Sequence, residues 1–145
     1  MKKNIFILDD DYIFYKKVKK VLKFYFPEST IYPSDEEYEE IIYNIESRNY
    51  ECLFLKVKEL NIEYYIIDIK FGNDNNPSGI EFLEYLEKEL PFSENKYDYI
   101  LITDGGYERN NLKKYSENIP FISKSNLGNR LAALSVKKEL EKFIN

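Results

Sequence analysis

A chain of 145 residues with 43% hydrophobic and 32% charged side chains is long enough to fill one core and too short for two comfortable domains. Its net charge of −5 argues against a nucleic-acid partner, whose phosphates require clustered Lys and Arg. A single cysteine, Cys52, excludes an internal disulfide and a cysteine-rich metal cage, and the absence of histidine excludes His-based triads, His metal sites and a phosphohistidine carrier role.

The chain opens with Lys2 and Lys3 before a short apolar run that ends in acid, too short for a signal peptide. No apolar stretch approaches membrane-spanning length, so a soluble, cytoplasmic protein with no membrane partner is expected. The first strand is expected at Asn4–Leu8, followed at once by Asp9, Asp10 and Asp11. Phe14, Val18, Val21, Leu22 and Tyr25 then recur at spacings of three and four, which predicts a helix that stops before Pro27. A second strand is expected over Ser29–Tyr32, and Ser34 with Glu37 matches a capping box. The region from Tyr38 to Leu60 is long for a single crossover, and a helix broken around Ser47 to Tyr50 is expected there.

Glu63–Asp68 reads as the third strand, followed by a loop rich in Gly, Asn and Pro from Lys70 to Gly79. Ser78 with Glu81 forms a second capping box ahead of the next helix. Strands four and five are expected at Tyr97–Thr103 and Ile119–Ser123, and the last helix carries Leu127, Leu131, Leu134, Val136, Leu140 and Phe143. Apolar runs alternating with helical patterns predict an α/β fold, a doubly wound, five-stranded parallel sheet with an elongated region before the third strand.

Ligands of such sheets sit beyond the carboxyl ends of the strands. The strand ends here deliver Asp9 and Asp10, Asp68, Thr103 and Lys124. Clustered carboxylates are hard ligands for Mg²⁺, which keeps several waters and coordinates phosphate oxygens. A carboxylate held beside that metal can attack phosphorus, a hydroxyl can donate to a phosphoryl oxygen, and an ammonium can neutralise its charge. Each residue alone has a plainer reading: an isolated Asp triplet is usually a solvated strand end, a strand Thr a β-former, a lone Lys a surface residue. It is their coincidence at successive strand ends that points to phosphoryl transfer.

In ILDDD at Ile7–Asp11, YIIDI at Tyr65–Ile69, SGIEFLEYL at Ser78–Leu86, ILIT at Ile100–Thr103 and FISK at Phe121–Lys124, the chain resembles the receiver domains of two-component response regulators. The resemblance spans nearly the whole chain and implies a flavodoxin-like (βα)5 architecture over residues 1–145, with no output domain. It implies Asp68 as phosphoacceptor, with Asp9, Asp10, Asp68 and the backbone carbonyl of Lys70 holding Mg²⁺. It implies Thr103 as the switch hydroxyl, Lys124 as the phosphate-neutralising lysine and Phe121 as the switch aromatic, while Asp11 caps the first helix. The sequence departs from the family in Asp104, where a small residue is usual, and in Ser125, where proline is usual.

The expected function is a phosphoacceptor in two-component (phosphorelay) signalling: a signalling phosphoprotein that catalyses at most its own modification. Its expected partners are a histidine kinase or phosphotransfer protein and a downstream protein target. Two alternatives stand beside it. A haloacid-dehalogenase-like phosphatase would use Asp9 as nucleophile, with Thr103 and Lys124 binding phosphate, but it lacks a later acidic pair and leaves Asp68 unexplained. A degenerate receiver would keep the fold as a non-phosphorylated interaction module.

Overall fold

The computed structural model of the chain describes residues 3–69, 78–89, 98–103 and 119–144, except for the side chains of 125 and 126. Its strands are β1 (Asn4–Leu8), β2 (Thr30–Tyr32), β3 (Tyr64–Asp68), β4 (Asp98–Thr103) and β5 (Phe121–Ser123). Between and after them run α1 (Tyr12–Tyr25), α2 (Tyr38–Glu46), α3 (Tyr50–Glu59), α4 (Ser78–Glu89) and α5 (Lys124–Ile144). Every sheet pairing is parallel, in the order β2-β1-β3-β4-β5. This is the doubly wound, flavodoxin-like sheet expected from the alternation of apolar runs. The chain goes from β1 outward to β2 and then crosses back to β3, so the crevice of the sheet opens above β1 and β3.

The strands are apolar on both faces because both faces are covered. On β1, Ile5 and Ile7 join Tyr64, Ile66, Ile100 and Ile102 in one core against α1 and α5. Phe6 and Leu8 join Tyr65, Ile67, Tyr99 and Leu101 in the other, against α2, α3 and α4. All five residues of β3 are buried, which is the price a central strand sets for carrying Asp68 at its end.

The helices start and stop for local reasons. Asp11 holds an extended conformation and its carboxylate accepts from the Phe14 backbone N–H at 3.1 Å, satisfying one of the free donors of α1. Asp11→Ala is therefore expected to destabilise the protein by about 1 kcal/mol in urea denaturation, without changing the slope of the transition. The break expected between Ser47 and Tyr50 is present: Ser47 closes α2, Arg48 turns the chain with φ 60°, and Asn49 precedes α3. Ser34 makes its expected contact with Glu37, accepting from its N–H at 3.3 Å, one turn ahead of α2. α4 opens at Ser78 as expected, but the expected capping box is not formed among the described residues: Ser78 Oγ is buried with no hydrogen-bond partner there, and the Glu81 carboxylate reaches Arg48 Nε at 3.1 Å instead.

The last helix differs from the expected apolar face. Gly128 adopts φ 77° and ψ 160°, a conformation that interrupts α5. The helical phase is reset there, so a spacing counted across Gly128 no longer marks one face. Leu127 and Leu131 are 39% and 55% exposed, while Ala132, Ala133, Val136 and Leu140 face the core. Phe143 is partly buried and stacks on Tyr64 with ring centroids 6.0 Å apart.

Candidate functional site

Parallel pairing aligns the strand ends. Leu8 pairs with Ile67, so Asp9 and Asp68 follow side by side on neighbouring strands. Asp68 is level with Ile102 and Thr103 with Ser123, which brings Thr103 and then Lys124 to the same edge. The structure thus gathers Asp9, Asp10 and Asp68, with one carboxylate oxygen of each within 4.8 Å of the others. Asp9 and Asp68 are 1% exposed, Thr103 3% and Lys124 5%.

Lys124 binds this cluster. Its Nζ lies 3.2 and 3.1 Å from the two Asp9 carboxylate oxygens, 3.7 Å from Asp68 Oδ2 and 3.9 Å from Asp11 Oδ2. The ammonium also sits 4.8 Å from the centre of the Phe14 ring, whose negative face favours a cation. Among the described residues, one ammonium against the carboxylates of Asp9, Asp10, Asp11 and Asp68 leaves the crevice negative. Burial pushes the Asp9 carboxyl up to about 7, against the opposing pull of Lys124 and of the Asp11 N–H that donates to Asp9 Oδ1 at 2.9 Å.

That shift has a consequence for stability in metal-free buffer. Between about pH 4 and 7 the folded protein holds a proton on Asp9 that the unfolded chain has released, so folding is most favoured below this range and loses stability as pH rises through it. Asp9→Asn removes the titrating group. The variant is expected to show a flatter pH profile of thermal midpoint and, with chelator present at pH 8, to exceed the wild type by on the order of 2 kcal/mol.

Two supports of the site carry no sequence signal. The Tyr38 hydroxyl, on the first turn of α2, donates to the Asp9 backbone carbonyl at 2.7 Å. The Tyr38 ring stacks on Tyr15 at 4.5 Å and meets the edge of Tyr12 at 5.1 Å, so an aromatic wedge fixes the end of β1. Gly79, at the start of α4, lies against the Asp68 carbonyl group, where a Cβ would overlap backbone. A partner 29 residues distant and a backbone contact between elements leave no local pattern in a sequence.

Phe121 lies apart from the carboxylate cluster. It is half-buried on β5 and packs against the core on the α2, α3 and α4 side. Lys70 and Asp104 fall outside the described residues, so the expected backbone ligand and the expected extra acid have no placement here.

The donor set fits Mg²⁺. Three carboxylates offer hard oxygen ligands within 4.8 Å of one another, two of them buried, in a crevice where, among the described residues, the Lys124 ammonium alone does not balance the charge. A compact divalent cation offsets the desolvation and mutual repulsion that raise Asp9.

No protein-family model matches the sequence, and no curated protein is similar to it. Solved structures are similar in fold. The RcsB response regulator of Salmonella typhimurium superposes with a TM-score of 0.63 at 17% identity, over 96% of this chain and 60% of its own. This chain therefore spans about three-fifths of that protein's length. A CheY-like receiver domain protein from Methanospirillum hungatei gives a TM-score of 0.56 at 22% identity, covering 99% of this chain and 97% of its own. A two-component transcriptional regulator, AraC, from Clostridium phytofermentans gives 0.55 at 14% identity over 98% and 91%. The chain has the fold of response-regulator receiver domains, with an acidic cluster and a buried lysine at the carboxyl edge of its sheet.

Proposed function

We propose that this chain is a phosphoacceptor of the response-regulator type, modified on Asp68 in a Mg²⁺-dependent reaction. The observation that carries the reading is the convergence of Asp9, Asp10 and Asp68, with Lys124 Nζ against Asp9 and Asp68, at the edge of the sheet where such folds hold ligands. A surface feature does not bury two carboxylates and an ammonium together, since each costs several kcal/mol to desolvate.

The roles follow from position. An Asp68 carboxylate oxygen attacks phosphorus, the bond from phosphorus to the donor's nitrogen or oxygen breaks, and the leaving group keeps the electron pair. Asp9, Asp10 and Asp68 hold Mg²⁺, which when bound neutralises charge on the phosphoryl oxygens. Lys124, now paired with Asp9, is within reach of Asp68 and offers its ammonium to a phosphoryl oxygen there. Thr103, buried at the end of β4, supplies a hydroxyl that can donate to the same group. Lys70 is proposed to add its backbone carbonyl, and Phe121 to repack when Thr103 moves.

The natural donor is proposed to be the phosphohistidine of a histidine kinase or phosphotransfer protein, and the output a contact with a downstream protein. A phosphatase reading on Asp9 is less well supported, because the Asp9 carboxylate is engaged by both Lys124 and the Asp11 N–H. The test is incubation with acetyl phosphate and Mg²⁺ followed by intact mass measurement. One phosphoryl group is expected to add, and to be lost when the metal is chelated. An unmodified protein under both conditions would move the reading to an interaction module that keeps the fold without the chemistry.

A further inference from the structure

We infer that the outer face of α1 is a peripheral docking surface for anionic lipid headgroups. Five lysines, Lys16, Lys17, Lys19, Lys20 and Lys23, lie within Tyr12–Tyr25, a stretch with no acidic residue, in a chain whose net charge is −5. They do not share one role. Lys19 is buried, donates to the Tyr15 hydroxyl and the Pro33 carbonyl and pairs with Asp35 at 3.2 Å, and Lys16 pairs with the same carboxylate at 2.7 Å. Lys17, Lys20 and Lys23 are exposed and make no ion pair among the described residues. Three exposed ammonium groups at spacings of three thus line the solvent side of a single helix.

Apolar side chains bracket them. Ile13 is 63% exposed and Phe24 78%. Eleven residues separate the two, roughly 16 Å along the helix and about three whole turns, so both project from the face that carries the lysines. A groove of about 560 Å³ runs beside them, lined by the lysine stems with Tyr12, Ile13 and Asp35. The neighbouring helix adds one cation at the end of this face: Lys137 of α5 sits 4.2 Å over the Tyr25 ring. Among the described residues, the large exposed hydrophobics beyond these two helices are Tyr43 and Leu55 alone.

The chemistry of this face selects its occupant. Lysine is depleted from the cores of protein interfaces, where arginine and aromatics are favoured, and the face has no arginine on α1. Nucleic-acid surfaces combine basic groups with base-reading polar side chains, which Ile13 and Phe24 do not provide. Lysines whose stems lie along apolar surface with their ammonium groups at headgroup level, beside protruding Ile and Phe side chains, suit the boundary of an anionic leaflet. This surface neither uses nor requires the carboxylate crevice, so the inference stands or falls independently of phosphorylation at Asp68.

The test is cosedimentation of the full chain with vesicles of phosphatidylcholine alone or mixed with phosphatidylserine. Binding is expected only to the mixed vesicles, and is expected to vanish when salt shortens the Debye length from about 10 Å to about 3 Å. At about fivefold for each lysine, the triple change Lys17→Gln, Lys20→Gln, Lys23→Gln is expected to weaken partitioning about a hundredfold. Phe24→Ser is expected to weaken it while leaving the salt dependence in place. Circular dichroism checks that both variants, altered only at exposed positions, remain folded. Equal binding to both vesicle types, no binding to either, or an unaffected triple variant overturns the inference. Retention on a polyglutamate resin without vesicle binding overturns it too, and assigns the face to an acidic protein.

Discussion

Asp68→Asn is expected to reduce phosphoryl uptake from acetyl phosphate below detection, a loss of at least about 10³-fold, because an amide lacks the anionic oxygen that attacks phosphorus. The substitution is close to isosteric, and it removes one of the three carboxylates within 4.0 Å of Lys124 Nζ. The thermal midpoint is therefore expected to hold or rise, which separates lost chemistry from lost folding. Asp9→Asn is the paired measurement. It is expected to raise the Mg²⁺ concentration that phosphoryl uptake requires, while retaining an adduct at high metal concentration. An adduct that survives in Asp68→Asn and disappears in Asp9→Asn would place the nucleophile on Asp9 and sink the present assignment.

Gly79→Ala is expected to destabilise the protein by about 1–3 kcal/mol and to slow phosphoryl uptake about 10²-fold, as read by denaturation and by rates under one metal concentration. The added Cβ would overlap the Asp68 carbonyl oxygen, stand 2.8 Å from the carbonyl carbon and 3.0 Å from the Ile69 Cα. All three are backbone atoms, so no side chain can rotate away. Either α4 shifts off the end of β3 or Asp68 shifts with its peptide, and a displacement of about 1 Å is enough to spoil in-line attack. A variant with wild-type stability and wild-type uptake would mean that α4 does not set the position of Asp68.

The sheet was legible because its strands obey a rule that leaves a pattern. A parallel strand covered on both sides is an uninterrupted apolar run, and NIFIL, YYIID and DYILIT each end within a residue or so of where the pattern ends. The broken helix before β3 was legible from length alone. The candidate site was legible to the same extent, since Asp9, Asp10, Asp68, Thr103 and Lys124 are the polar residues that terminate those runs. The face of α5 was not. Gly128 reads in sequence as one weak helix residue, yet its left-handed backbone rotates all that follows, so that Ala132 and Ala133 are buried while Leu131 is exposed.

The sequence by itself determined the strands, their order of polar endings and hence which polar groups reach the sheet edge, because local hydrophobic periodicity is a one-dimensional signal. Tertiary structure alone decided which groups meet: that Lys124 neutralises Asp9 at 3.1 Å across 115 residues, that Tyr38 holds the Asp9 carbonyl, and that Gly79 abuts Asp68. It also decided that Lys17, Lys20 and Lys23 of α1 stand in solvent with no ion pair among the described residues, while Lys19 is buried and both Lys19 and Lys16 bind Asp35. The physical reason is common to all of these. Contact, desolvation and charge balance depend on distances between elements, and the order of residues along a chain does not contain those distances until the sheet and helices have packed.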